Sequence, residues 1–159
     1  MLMIQLLPTT PAEYEAWLVH AVDDYADDKV RSGAWQAEEA VERSRAEFQK
    51  LLPDGLASKD NYLYSIWSDD APLDVPVGVL WMAVPPWKPP LAFVFDFIIF
   101  EPYRRRGYAT QALEALEDKV RALGLATIGL HVFGHNHAAR ALYEKAGYEV
   151  TDINMAKKL

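Results

Sequence analysis

The sequence of 159 residues contains no cysteine. This absence excludes disulfide bonds, thiolate zinc sites and a cysteine nucleophile, so any covalent chemistry must use other side chains. A chain without cysteine also fits a reducing compartment. The four histidines show no spacing with acidic residues that is typical of a metal site, and we expect no bound metal.

Positive charge and long apolar runs are also scarce. There are 16 Lys and Arg against 23 Asp and Glu, a net charge of −7, and we expect no nucleic-acid partner because phosphate binding needs surplus cations. The most apolar stretch, Leu91 to Phe100, has ten residues and includes Asp96, whereas a bilayer span needs about 20. The first ten residues do not resemble a signal peptide. We therefore expect a cytoplasmic protein without a membrane partner.

Hydrophobic residues make up 51% of the chain, enough for an ordinary core. The length is that of about one domain, and no repeat, low-complexity tract or linker divides it. We therefore expect a single domain over residues 1–159.

Helix and strand signals alternate along the chain. Thr10, Pro11 and Glu13 form a helix-start signature, and apolar residues at spacings of three and four predict further helices. We predict helices from Pro11 to Val30, up to Leu52, from Ala109 to Leu123 and from Asn136 to Gly147. Strands are predicted over Met3–Leu7, Tyr62–Trp67, Val77–Val84, Leu91–Phe100 and Ala126–Phe133, with a closing strand or hairpin over Tyr148–Lys157. This order predicts a mixed sheet with helices on its faces.

The segment from Arg104 to Ala109 lies between an apolar strand and an amphipathic helix. The unpaired N–H groups of a helix start, together with the helix dipole, bind phosphate well. Gly107 allows close approach of an anion, and the arginines add charge. Neither GxxxxGK[ST] nor GxGxxG occurs in the chain. The segment predicts a phosphate or pyrophosphate site, the alternative being an ordinary turn with solvated arginines.

Two motifs in this order carry a family resemblance. Arg104-x-x-Gly107-x-Ala109 resembles the Gln/Arg-x-x-Gly-x-Gly/Ala turn of the GCN5-related N-acetyltransferase (GNAT) superfamily, which holds the pyrophosphate of acetyl-CoA. The stretch from Asn136 to Tyr148 is similar to the closing segment of that family. The resemblance, strong over residues 91–148, implies an α/β (α+β) GNAT-type fold. Its central sheet would be mixed and mostly antiparallel, with six to seven strands, helices on both faces and a splay that admits the cofactor.

The resemblance also implies acetyl-CoA as co-substrate. The main chain of one strand would pair with the pantetheine arm in the manner of an added strand, the arginine turn would hold the diphosphate, and the last helix would contribute the side chain of Asn136. The implied cofactor-binding residues are Phe97, Ile98, Ile99, Arg104, Arg105, Arg106, Gly107, Tyr108, Ala109, Thr110, Asn136 and Tyr143.

Acetyl transfer to an amine needs a neutral amine and a proton source for the departing thiolate. An alkylamine with a pKa near 10.4 is only about 0.1% neutral at pH 7, so a base is valuable. In the family, a tyrosine at the position of Tyr143 is the general acid. Spacing alone favours Tyr143 as a core residue on the same helix face as Leu142 and Ala146, whereas the family resemblance favours the general acid.

Two residues are candidates for the base. His131 stands five residues before Asn136, where the branch that acetylates protein N-termini carries glutamate; the imidazole departs from that pattern, but its ordinary pKa near 6.5 suits the task. Asp96 is the only charge in its strand, which is costly unless it is paired, solvated or used, and it resembles a polar position that the family points toward the reaction centre. A packed strand histidine and a structural anchor are the respective alternatives.

The sequence leaves the acceptor open. The expected acceptor is a primary amine on a small molecule or a peptide, with direct attack in a ternary complex as the family implies. Four acidic residues of the first helix could attract a cation or simply form a solvated face: Asp23, Asp24, Asp27 and Asp28. His135 and His137 are expected at the surface, and a monomer and a homodimer are both compatible with the chain. The alternative function is a non-catalytic acyl-CoA-binding sensor or interaction domain.

Overall fold

The computed structural model describes residues 3–159. It confirms the predicted element order up to the last helix. The elements are β1 (Ile4–Pro8), α1 (Pro11–Arg31), α2 (Ala37–Leu51), β2 (Asn61–Ser68), β3 (Gly78–Ala83), β4 (Ala92–Ile99), α3 (Tyr108–Ala122), β5 (Ile128–Leu130) and α4 (His137–Lys145). The predicted start of α1 is a reciprocal capping box between Thr10 and Glu13.

The five strands lie in sequence order in one sheet. The first four are antiparallel, and β5 is parallel to β4. The prediction of six to seven strands was wrong for the part of the chain described. The predicted closing strand, Tyr148 to Lys157, has no strand partner, and the strand predicted from Ala126 to Phe133 shrinks to three residues because it loses β4 as a partner beyond Leu130.

Helices cover both faces of the sheet, as predicted. On one face α3 packs Ala112, Leu116 and Val120 against Leu80 and Met82 of β3. On the other face, α1 and α2 pack against the alternate residues of β3, which include Trp81. The two faces therefore bury separate apolar clusters. None of these helices, in the region from residue 3 onward, combines the length and apolarity needed to cross a bilayer.

A β-bulge in β4 sets the direction of the acidic side chain in that strand. Trp81 pairs with Asp96, whereas Met82 pairs with Val94, so Phe95 is the extra residue. A bulge shifts the alternation of side chains by one residue. Asp96 therefore lies on the α1 side of the sheet together with Phe95, and there it meets Trp17.

Candidate active site

A cavity of about 370 Å³ opens where β4 and β5 separate. Pairing between these strands covers only Ala92–Val94 and Ile128–Leu130. Beyond that point the main chain of residues 95–99 has β3 on one side and no partner strand on the other among the described residues. The polar residues lining the cavity are Asp24, Tyr25, Asp28, Lys29, Glu47, Asp96, His131, Asn136 and Tyr143.

Asp96 lies in the wall of this cavity and is only partly accessible to solvent. The indole N–H of Trp17 donates a hydrogen bond to its Oδ2 atom at 2.7 Å. Burial raises the pKa of Asp96 to about 6, against the opposing effect of the Trp17 hydrogen bond, and the nearby charges of Asp24 and Asp28 raise it further. A carboxyl group with this pKa can exchange a proton near neutral pH.

Tyr143 projects from α4 into the same cavity. Its ring meets that of Tyr148 edge to face, with the centroids 5.7 Å apart. Burial is the main cause that raises the pKa of Tyr143 to about 12, and electrostatic effects of Asp96 and Tyr148 act in the same direction. The phenol is therefore protonated at neutral pH, and its electrostatic coupling to Asp96 places the two groups in one neighbourhood.

His131 lines the cavity from the segment that follows β5 and keeps an exposed edge. Its ring meets Phe133 edge to face at a centroid distance of 4.9 Å. Partial burial and the charge of Lys29 lower the pKa of His131 below its ordinary value. The imidazole is therefore predominantly neutral at pH 7.

Asn136 is the N-cap of α4. Its side-chain oxygen accepts a hydrogen bond from the main-chain N–H of Ala139 at 3.2 Å. The residue also lines the cavity, so the capping bond fixes both the start of α4 and the position of this side chain.

The turn before α3 presents free N–H donors. Arg105 and Gly107 have positive φ angles of 61° and 82°, and Gly107 is an N-cap without a side-chain hydrogen bond. The first main-chain hydrogen bond of α3 runs from the Gln111 N–H to the Gly107 carbonyl. The N–H groups from Arg105 to Thr110 have no protein acceptor within the described residues. This uncapped helix start fits an anionic diphosphate.

Two of the three arginines of the turn bond to main-chain carbonyls. The Arg104 Nε atom donates to the Ile99 carbonyl at 2.8 Å, and the Arg106 guanidinium donates to the Pro102 carbonyl at 3.3 Å. The first bond ties the turn to the end of β4, and the second ties it to the segment that follows β4. The side chain of Tyr108 lies in the core, where it is 1% exposed, and its hydroxyl donates to Asp70. Only its main-chain N–H remains at the turn.

The structure thus brings some predicted residues together and separates others. Asp96, Phe97, His131, Asn136 and Tyr143 line one cavity. Ile98 and Ile99 continue β4 from this cavity toward the turn. The turn, with Ala109 and Thr110 in the first part of α3, lies beyond them.

Sequence reasoning missed three contacts around the cavity. The Trp17 bond to Asp96 was not predicted, and its signal was a tryptophan on a buried helix face opposite a lone strand carboxylate. His135 is not a free surface residue, since its Nε2 atom lies 2.7 Å from the Asp28 carboxylate. The hydroxyl of Tyr25 donates to Glu47 at 2.9 Å. The last two contacts join segments far apart in sequence, which spacing does not reveal.

Comparison with known proteins finds acetyltransferases both among family models and among sequence relatives. The model of the acetyltransferase (GNAT) family matches residues 14–148. A Bacillus subtilis (strain 168) protein named uncharacterized N-acetyltransferase YycN is 41% identical over 157 residues, which are 98% of this chain and 99% of that protein. A second protein of the same organism, the uncharacterized N-acetyltransferase YdgE, is 36% identical over 151 residues, or 94% of each chain.

Solved structures agree with the sequence relatives. The crystal structure of the acetyltransferase YycN from B. subtilis matches with a TM-score of 0.91 and 40% identity over 99% of both chains. The enzyme AAC(6')-Iy, solved with the bisubstrate analogue CoA-S-monomethyl-acetylneamine, matches with a TM-score of 0.60 and 14% identity over 100% of this chain and 98% of that one. The second match shows the shared fold alone.

The Trp17 hydrogen bond predicts a measurable change in the titration of Asp96. In Trp17→Phe the ring is kept and the N–H donor is lost, so the charged carboxylate loses stabilisation and the pKa of Asp96 rises above its wild-type value. The measurement is an NMR pH titration of the Asp96 carboxyl carbon. Trp35→Phe is the matched control, because Trp35 is buried in a separate cluster. An unchanged or lower pKa in Trp17→Phe contradicts the prediction.

Proposed function

Because the chain belongs to the acetyltransferase (GNAT) family, we propose that it transfers the acetyl group of acetyl-CoA to a primary amine by direct attack in a ternary complex. Residues 1–159 act as one catalytic domain in this proposal. The observation that carries it is the continuous path from the uncapped start of α3, along the open edge of β4, to the cavity with Asp96 and Tyr143.

Acetyl-CoA would bind along this path. The N–H groups from Arg105 to Thr110 offer donors and the positive end of the α3 dipole to the diphosphate. The open main chain of Phe97, Ile98 and Ile99 offers strand-type hydrogen bonds to the amides of the pantetheine arm. A CoA-containing analogue bound to AAC(6')-Iy, which shares this fold, supports the same cofactor.

Tyr143 would protonate the departing thiolate. Its phenol is protonated at neutral pH, because burial raises the pKa to about 12. It lines the cavity, where the acyl end of the bound acetyl-CoA would lie. The tetrahedral intermediate then collapses with cleavage of the C–S bond, and the phenolic proton passes to sulfur.

Asp96 is our proposed base. Its carboxylate is coupled electrostatically to Tyr143, and both residues line the cavity where the thioester and the amine would meet. The Trp17 indole bonds to Oδ2, and Oδ1 would take a proton from the acceptor's ammonium group, so that the neutral amine can attack the thioester carbon. His131 is more exposed than Asp96, and the charge that acts on its pKa is that of Lys29. It is the competing candidate for the base.

The acceptor would approach over the α1–α2 side of the cavity. Three acidic residues, Asp24, Asp28 and Glu47, stand there beside the single lysine Lys29. Aromatic rings, including those of Tyr25 and Phe133, form the apolar part of the wall. A cationic amine with some apolar surface fits this charge and shape, whether it comes from a small molecule or a peptide.

The anion site can be tested with a pair of glycines. Gly107 and Gly33 have nearly equal φ angles of 82° and 81°, and a Cβ atom at either would meet nothing within 4 Å. Alanine at either position therefore carries the same backbone strain, of about 1–2 kcal/mol. We expect Gly107→Ala to weaken CoA binding by roughly tenfold in calorimetry, and Gly33→Ala to leave it unchanged. Equal CoA affinity in the two variants would remove the α3 turn from the proposal.

The acid can be tested with a pair of tyrosines. Tyr143→Phe should lower kcat by roughly 10²-fold or more, the usual loss for a general acid, with CoA affinity retained. Tyr148→Phe is the control, since the Tyr148 hydroxyl is buried without a partner in the described structure. The assay is thiol release from acetyl-CoA over a panel of primary amines. Wild-type turnover in Tyr143→Phe would exclude the phenol from the mechanism.

The base is identified by the pH dependence of kcat/KM. Asp96 has a pKa of about 6 and acts when ionised, so the rate should rise with pH through about 6. Asp96→Asn should abolish this limb and lower the plateau by roughly 10²-fold, whereas His131→Gln should retain it. Loss of the limb in His131→Gln alone would assign the base to the histidine.

A further inference from the structure

Four aromatic rings form a row on the α1–α2 face of the sheet, and we refer to Trp81, Phe95, Phe93 and Trp87 as the ring row. Trp81 stacks on Phe95 with the ring centroids 4.8 Å apart. Phe95 meets Phe93 at 4.9 Å, and Phe93 meets Trp87 at 5.2 Å. Trp81 is 1% exposed, whereas Trp87 is 48% exposed. The row is therefore one continuous apolar strip that leads from the core to the surface.

The ring row begins at the proposed base. Trp81 is paired with Asp96 in the ladder between β3 and β4, and Phe95 is the bulge residue next to it. The first three rings of the row, those of Trp81, Phe95 and Phe93, also line the candidate reaction cavity. From Asp96 back to Phe93 is about 10 Å of extended chain. The row thus connects the proposed site of proton removal with the protein surface.

The ring row also leads away from the proposed cofactor path. β4 runs from Phe93 through Asp96 to Ile99, and the turn before α3 follows. Acetyl-CoA would lie on the Ile99 side of Asp96, which leaves the Phe93 side free for the acceptor. At Phe93 the strands β4 and β5 are paired, so the sheet there is a closed floor that carries the rings.

Apolar side chains of α2 stand at the same cavity. The ring of Phe48 meets that of Trp81 at a centroid distance of 5.6 Å. Leu51, three residues further along α2, lines the cavity and is 38% exposed. An apolar group on the ring row would therefore have apolar neighbours on α2 as well, while Asp24 and Asp28 of α1 remain available to a cation.

The loop between β3 and β4 holds Trp87 at the end of the row. Pro85, Pro86, Pro89 and Pro90 flank the tryptophan, and each proline fixes its own φ angle. A loop restricted in this way loses little conformational freedom when a ligand binds to it. An indole that is already in place and half exposed gains free energy when an apolar group covers it. Trp87 therefore has the properties of a ligand contact.

We propose that the acceptor is a primary amine with an apolar tail, and that Trp87 is the residue that determines specificity for this tail. The amino group would lie at Asp96, and the tail would run along the ring row and end on the Trp87 indole. The inference rests on the proposed function, because it assigns the acceptor of that reaction. The tail forms and breaks no bond, so its contribution is to binding.

Calorimetry tests the tail site without any need for turnover. Straight-chain amines from n-propylamine to n-octylamine are titrated into the protein saturated with CoA. We expect the affinity to rise with each added methylene, by about fourfold where the methylene is fully buried. Trp87→Ala should keep wild-type affinity for n-propylamine and weaken n-octylamine binding by at least about tenfold. Trp87→Phe, which retains an aromatic ring, should restore most of the loss.

Leu73→Ala is the matched control, because it removes another exposed apolar side chain, 82% accessible, from a different loop. It should leave the affinity for both amines unchanged. Equal affinity of the wild type for n-propylamine and n-octylamine would overturn the inference. So would a preference for n-octylamine that Trp87→Ala leaves intact.

Thiol release from acetyl-CoA with the same amines separates this inference from the proposed function. A kcat/KM that rises with tail length, and that Trp87→Ala flattens, supports both. Affinity that depends on the tail through Trp87, without thiol release, would support the tail site and contradict acetyl transfer to these amines. Thiol release at equal kcat/KM for n-propylamine and n-octylamine would support acetyl transfer and overturn the tail site.

Discussion

The parting of β4 and β5 after three paired residues is the constraint on which the candidate site depends. It leaves the main chain of residues 95–99 without a second partner strand, which is costly in a buried sheet unless something else bonds to it. The same separation makes the cavity and turns β5 into a short edge. The proposed cofactor path, the candidate reaction cavity and the exposed sheet edge are therefore three consequences of a single departure from regular pairing.

The bulge at Phe95 has a second, thermodynamic consequence. It directs Asp96 into a largely desolvated wall, and burial raises the pKa of this carboxyl from 3.8 to about 6. An acid whose pKa is higher in the folded state binds more protons there, so stability falls as pH rises from about 4 through 6. At neutral pH the ionised group costs on the order of 3 kcal/mol. A fold that keeps such a group at a cavity wall favours a chemical role for it.

The sequence predicts the local structure well, and for identifiable reasons. The capping box at Thr10, the glycine before α3 and the apolar period of α3 are encoded within a few residues. The bulge and the tryptophan bond to Asp96 depend on pairing between distant segments, and no spacing in β4 reveals them. The prediction of a closing strand was wrong for the opposite reason, because the local pattern is present and the pairing is not. Its alternating pattern is present at Ile153 and Met155, but a strand forms only by pairing with another strand, and this segment has no strand partner in the described structure.

The electrostatics of the proposed cavity contain a conflict that its layout can resolve. Asp24, Asp28 and Glu47 favour capture of a cationic amine, yet negative charge also raises the pKa of an ammonium and opposes its deprotonation. An alkylammonium with a pKa near 10.4 already needs roughly 4 to 5 kcal/mol to become neutral at pH 7. Attraction at the rim therefore helps only if the proton is removed deeper in. There, desolvation lowers the pKa of the ammonium and raises the pKa of Asp96. Both changes reduce the pKa difference between the proton donor and the proton acceptor. In the proposed mechanism, separating capture at α1 from deprotonation at β4 would thus let one acidic cavity serve both steps.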